Sequence, residues 1–273
     1  MLDVDAMLTM SFADLPLAWG PREAILYALG AGCGIQEERF LRDPGLAALP
    51  TLATIACYVK TFDPSTLGLD YAGLVHTAQS VELHRPLPVA AKVMLSKRVT
   101  AVWDRGADKG AVVEVETRIR DAATGGSIAI LVNEMLARRN GGFGGAPPPA
   151  VIDPNIDEGA SRAMCTRQEQ ALLFRLSGDW NPLHSDPDVA RNAGFPGPIL
   201  HGLCIYAICC RALILEHDLD ASVIRHIGAR FAAPVFPGET IVVTSRRSGD
   251  TIDFVAAVGE RKVVRAGRCR IEE

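Results

Sequence analysis

The 273-residue chain has no apolar run approaching the ~20 residues that cross a bilayer, so no helical membrane span is expected. Its N-terminus, "MLDVDAMLTMSFADLP", carries acids where a secretory signal needs a basic start and a continuous apolar core, so a cytoplasmic location without membrane insertion is expected. Cysteine is sparse and unpatterned. The seven residues are odd in number, form no Cys-x-x-Cys and keep no regular spacing, which argues against a disulfide framework and a zinc site. Cys204, Cys209 and Cys210 read instead as small core residues. No basic run is present either: 28 Lys and Arg are spread along the chain, never more than two together, among 32 Asp and Glu for a net charge of -4, which argues against a nucleic-acid partner. What remains, 48% hydrophobic and 22% charged residues, is globular composition long enough for one large domain or two ordinary ones.

A break near the middle organises the chain. "RRNGGFGGAPPPAVIDP" (138–154) concentrates glycine and proline that helix and strand interiors exclude. Segments 77–104, 110–121 and 127–139 before it, and 223–248, 250–260 and 262–273 after it, alternate or run apolar at strand length. The expected division is an N-terminal unit 1–139, a linker 140–153 and a C-terminal unit 154–273. The two units read as copies. A shift of 148 lays Pro86 on Pro234, Leu87 on Val235, Pro50 on Pro198 and Leu52 on Leu200, and a shift of 147 sets "YALGAGCG" on "FRLSGDWN". The copies differ where proton chemistry would sit. Asp179 falls on Gly32, His184 on Glu37, and His201 and Gly202 on Ala53 and Thr54, so one active site per chain is expected, in the C-terminal half.

Local signals place those residues. "TRQE" at Thr166–Glu169 reads as a capping box opening a helix through "QALLFRLSG". Asp186 reads as an N-cap, with Pro187 at the first helical position and Gly194 as the stop, leaving Asp179–Ser185 a loop pinned at both ends. "HGLCIYAICCRALILE" is apolar almost all round, as a helix enclosed by a curled sheet would be. Gly202 sits in its first turn, where N–H groups lack intrahelical partners and the helix dipole favours negative charge. An aspartate after Ser-Gly is often only a turn residue. Asn181 either orients its neighbours or shapes the turn, and His201 is expected to be structural.

The segments "FRLSGDWNPLH", "AGFPGPILHGLC" and "RFAAPVFPGET", with "YALGAG", "LPTLA" and "VHTAQSVELHRPLP" in the first half, resemble the signature of MaoC-like dehydratases. In this two-halved form they resemble the type 2 (R-specific) enoyl-CoA hydratases of fatty acid metabolism. The resemblance covers nearly the whole chain. It implies an α+β double hot dog fold, two copies of a long helix wrapped by an antiparallel sheet, and reversible hydration of a trans-2-enoyl-CoA to a (3R)-3-hydroxyacyl-CoA. It further implies that Asp179 and His184 share one water and move the protons, with Gly202 giving its N–H to the thioester oxygen. Which of the two is the formal base stays open. No separate cofactor and no metal are expected, coenzyme A being part of the substrate, and a homodimer is expected.

Hydration of a conjugated thioester needs a base for water, an acid for the α carbon and donors for the enolate oxygen, which that set supplies. The N-terminal half is then free to bind the acyl group, with Ala53 in its pocket. Where many relatives have "F-V-Y-E" before "LPT", this chain has "FLRD", placing Arg42 and Asp43 on the substrate side and leaving the acyl chain open. Arg138, Arg139, Gly141, Gly142, Phe143 and Gly144 are either an edge for the CoA phosphates or an interdomain linker. A hot dog acyl-CoA thioesterase and a noncatalytic acyl-CoA-binding subunit are the alternative readings.

Overall fold

The computed structural model describes residues 2–10, 12, 14–59, 68–69, 73–156 and 158–272. In the first half, α1 (Val4–Thr9), β1 (Leu15–Trp19) and α2 (Pro21–Gly30) precede two 3-10 helices, Ile35–Phe40 and Pro50–Tyr58, and then strands β2 (Leu74–Leu83), β3 (Ala91–Asp104), β4 (Ala111–Asp121) and β5 (Ser127–Ala137). The second half repeats the plan with β6 (Ala160–Cys165), α3 (Gln170–Phe174), α4 (Pro187–Asn192), α5 (Gly202–Glu216) and strands β7 (Ile224–Phe231), β8 (Thr240–Ser248), β9 (Thr251–Val258) and β10 (Arg261–Ile271). Alternating inward residues, such as Val93, Leu95, Lys97 and Val99 of β3, account for the strand signal seen in the sequence.

All ten strands form one sheet in the order β1-β3-β4-β5-β2-β7-β10-β9-β8-β6. The order is the same in each half and meets itself at β2 and β7, which pair antiparallel. At that seam Ser80 faces Gly228, and their numbers differ by 148, the repeat offset. Equivalent residues facing each other is what a two-fold axis produces, and the joined sheet removes two strand edges that would otherwise stand open. The duplication is thus visible in the strand register itself.

The copies are unequal in their helices. The C-terminal α5 is buried from Leu203 to Ile214 and wrapped by its sheet, as its all-round apolar character requires. The expected long helix of the N-terminal copy is replaced by the nine-residue 3-10 helix Pro50–Tyr58, buried from Pro50 to Ala56. One continuous core joins the halves, holding Tyr27, Leu52 and Leu95 from the first with Phe174, Tyr206 and Phe254 from the second. A satellite cluster, including Met7, Val99, Val113 and Ala137 with Phe143 against it, closes the outer end of the first half. Among the described residues no helix is long and apolar enough to cross a membrane.

Two local expectations change. Thr166 does not cap α3: its hydroxyl donates to Glu239 O at 2.7 Å and accepts from Gly238 N at 2.9 Å. Helix α3 begins at Gln170 and passes into a 3-10 turn, Arg175–Ser177, that ends at Gly178 with φ 125°. The linker is bound to the sheet rather than loose. Asp104 accepts from the N–H of Gly106, Gly142 and Gly144 at 2.7–2.8 Å, and Asp153 accepts from Arg265 and Lys262.

Candidate active site

The loop from Gly178 to Ser185 holds Asp179 and His184 by short-range bonds. Asp186 caps α4 by accepting from Asp188 N and Val189 N, as its place before Pro187 predicts. Asn181 caps the 3-10 turn Pro182–His184: its Oδ1 accepts from Leu183 N at 3.0 Å, while its own N–H donates to Asp179 Oδ1 at 3.1 Å. Of the two roles open to Asn181, the side chain shapes the turn and the main chain holds the carboxylate.

His184 is buried, and its Nδ1 lies 2.9 Å from Ile199 O. A carbonyl only accepts, so Nδ1 carries the proton and Nε2 presents a lone pair. Burial lowers the His184 pKa, and the nearby Asp179 charge and the Ile199 carbonyl offset this only in part. The imidazole is therefore neutral at pH 7. His201, fully buried, packs its ring against it with centroids 3.8 Å apart and planes 31° apart. Burial, then the neighbouring His184, push the His201 pKa down to about 2, so it too is neutral. The rings continue through Phe174, 5.2 Å from His201, to Tyr27 of the first half, 5.5 Å further on. His201 thus serves as a wall that fixes the His184 ring plane, in keeping with a structural role.

Gly202 opens α5, where its N–H has no partner within the helix. A Cβ at this position would lie 3.2 Å from the Phe231 ring, so the absence of a side chain lets that ring pack closely against the first turn. Asp179, His184 and His201 bring one donor atom each within 4.8 Å of one another. Such a trio has the chemistry of a metal site, but the two imidazoles stack, and in stacked rings the in-plane lone pairs run alongside each other rather than toward one ion.

Seven buried side-chain nitrogen or oxygen atoms lack a hydrogen-bond partner among the described residues. Five of them belong to Tyr58, Arg175, Ser177 and His201, all in or against the Asp179 loop. Orphaned polar atoms are costly and few in folded proteins, so their concentration marks this loop as a place built to meet a polar ligand. Tyr58, from the first half, gave no signal in the sequence: nothing local in "IACYVK" shows that its ring will lie on Gly178.

The residues expected on the substrate side fare unevenly. Gly142 and Gly144 spend their N–H groups on Asp104, so they do not cradle a phosphate. A Cβ on Gly141 would fall 2.1 Å from Gly106 O, and Phe143 packs on the satellite cluster, so both are structural. Arg138 and Arg139 are exposed, and the Arg138 N–H bonds to Gly73 O, three residues before His76. Asp43 is exposed on the turn after Ile35–Phe40. Ala53 is 1% exposed inside the shared core. A cavity of about 520 Å³ lies elsewhere, between the β2–β7 seam and Pro148–Val151. Of its charged groups, Arg230 pairs with Glu134 and Arg268 with Asp253, while Glu114 accepts a hydrogen bond from the Thr100 hydroxyl.

The position equivalent to His184 in the first half is filled differently. Glu37 is ion-paired with Arg211 of α5, through Nε at 2.8 Å and Nη2, and Arg211 Nη1 donates to Ala31 O at 2.7 Å. Both side chains are 8% exposed.

Comparison with known proteins agrees with this geometry. Residues 151–267 match the MaoC like domain and residues 18–138 the MFE-2 hydratase 2 N-terminal domain. The chain is 41% identical over 239 residues to the 3-hydroxyacyl-thioester dehydratase Y of Mycobacterium tuberculosis, spanning 82% of this chain and 80% of that one. It is 35% identical over 283 residues, 97% of each chain, to the enoyl-CoA hydratase ChsH3 of the same organism. A crystal structure of a MaoC-like dehydratase from Phytophthora capsici superposes with a TM-score of 0.86 at 30% identity over 98% of both chains. Two hot dog units fused through one sheet, one of them keeping an Asp-His pair beside a glycine-led helix, make this chain a member of the MaoC-like dehydratase and type 2 enoyl-CoA hydratase family.

Proposed function

We propose that the chain is a hydro-lyase that adds water reversibly across the C2–C3 double bond of a trans-2-enoyl-CoA, giving the (3R)-3-hydroxyacyl-CoA. What supports this reading is the Asp179 carboxylate and the neutral His184 imidazole lying within 4.8 Å of each other, with His201 of the same cluster as the N-cap of α5, directly before Gly202. A water molecule has two protons, and this site offers it two acceptors. As its oxygen bonds to C3, the π electrons move onto the thioester oxygen, where the Gly202 N–H and the helix dipole stabilise the enolate. The proton taken from water by the pair then returns to C2, and the enolate collapses. No step calls for a metal or a separate cofactor.

The N-terminal half contributes no second dyad in this reading. Glu37, in the place of His184, is neutralised by Arg211 and buried, so it has no proton to exchange. That half serves to bind the acyl group and to complete the wall of the one site.

The test is incubation of the pure protein with crotonyl-CoA and longer enoyl-CoAs, following enoyl-thioester absorbance together with free thiol. Loss of absorbance without thiol is expected, unchanged by chelator; thiol release would select a thioesterase. Asp179→Asn and His184→Ala should each lower turnover on the order of 10²-fold or more while the melting temperature stays near that of the parent. Near-normal turnover in both would overturn the assignment.

A further inference from the structure

We propose that Tyr58, contributed by the N-terminal half, is a catalytic residue of the C-terminal site, its hydroxyl donating a hydrogen bond to the oxygen that joins C3 of the substrate. This rests on the hydratase reading above and adds a third group to the pair that holds the water.

Tyr58 ends the 3-10 helix Pro50–Tyr58. Its side chain packs against Gly178, one residue before Asp179: a Cβ on Gly178 would come within 2.9 Å of its Cδ2 and 3.2 Å of its Cβ. The ring is held there from below. The buried ammonium of Lys97 on β3 donates to Cys57 O at 3.3 Å and to Val59 O at 2.6 Å, gripping the peptide on either side of Tyr58. The phenol oxygen is buried with no hydrogen-bond partner among the described residues. It is close enough to Asp179 that the carboxylate charge, after burial, keeps the phenol protonated, yet the two are not hydrogen-bonded. A protonated phenol in that state is an unspent hydrogen-bond donor beside the Asp179 loop.

The water held by the pair has a defined need. Asp179 and Nε2 of His184 are both acceptors, and together they take the two protons of water. The oxygen retains two lone pairs, and neither of these groups directs them. A donor at Tyr58 binds one lone pair and leaves the other for C3. In the reverse direction the same donor stabilises hydroxide as it leaves C3. No bond to the tyrosine forms or breaks, so the addition stays balanced as written above.

An orphaned buried hydroxyl destabilises the free protein, which gives the test a signature that a packing role does not share. Tyr58→Phe keeps the ring on Gly178 and removes only the oxygen. The expected result is a kcat lowered about 10- to 100-fold, the effect of losing one hydrogen bond to a charged oxygen, with KM changed less than threefold and a melting temperature equal to or above the parent's. Wild-type kcat, or a lowered melting temperature accompanying the loss, would overturn the proposal by showing that the hydroxyl is idle or structural. Asp179→Asn is assayed alongside. If it is inactive while Tyr58→Phe is fully active, the hydratase reading stands and the role of Tyr58 falls. If Asp179→Asn itself is active, the reading beneath both has failed.

Discussion

Replacing Glu37 by Gln is the sharpest probe of how the halves are held together. The substitution keeps the shape of the side chain and removes its charge, leaving the guanidinium of Arg211 buried at 8% exposure without a counter-ion. Uncompensated burial of one member of an ion pair costs about 3–5 kcal/mol, and at about 2–4 °C per kcal/mol for a domain of this size the melting temperature should fall roughly 6–20 °C. Burial raises the Glu37 pKa but the bonds from Arg211 outweigh it, so the folded value lies below the ordinary 4.5. A carboxylate with a depressed folded pKa contributes stability that is present above pH 4.5 and lost as pH falls through the folded value. The difference in melting temperature between parent and Glu37→Gln should accordingly be full at pH 7 and shrink below pH 4.5. The double variant Glu37→Leu with Arg211→Met removes both charges and should recover most of the loss, since apolar replacement of a whole buried pair is often neutral or better. Scanning calorimetry reads all three. A shift under about 2 °C for the single variant, or no recovery in the double, would show that the pair does not tie the halves as described.

Two further outcomes follow from the site. Because burial holds His184 below its ordinary pKa of 6.5, the acid limb of kcat/KM should lie below pH 6.5, with activity retained at pH 6; an inflection above 7 would contradict a neutral buried imidazole. Gly202→Ala should drive a methyl to 3.2 Å from Phe231 and block the thioester oxygen, lowering kcat at least tenfold, with partial recovery when Phe231 is shortened to Leu. The steady-state rate of each variant with crotonyl-CoA decides it.

Local chemistry was legible in the sequence and long-range chemistry was not. Asp186, Pro187 and Gly194 announce their short helix because a cap acts within three residues. The central strands show themselves by alternation, but β1, "LPLAW", carries a proline that reads as a break and is tolerated only because the strand lies at the edge of the sheet. Thr166 has the pattern of a capping box, and a tertiary partner, Glu239, took its hydroxyl instead. The glycines after Arg139 resemble an anion cradle because they are one; the anion is Asp104, 38 residues away from Gly142. Asp179, His184 and Gly202 stand out as candidates because their motif is local and dense. The offset aligning Ala53 with His201 says nothing about the depth of the surrounding core, in which Ala53 is buried.

The seam between β2 and β7 also sets a timetable for the growing polypeptide. When residues 1–150 have left the ribosome, the outer edge of β2 has no strand to pair with, and Glu37 awaits an arginine 174 residues further along the chain. From that point Arg211 is still 61 residues away, and at ~5–20 residues per second the wait lasts roughly 3–12 s. Over that interval the first half carries an open edge and an unmatched carboxylate, and it needs either a holding partner or a fluid state until α5 and β7 emerge. The gene is therefore not divisible at its Gly-Pro segment without synthesising both pieces together, even though each encodes a complete set of five strands.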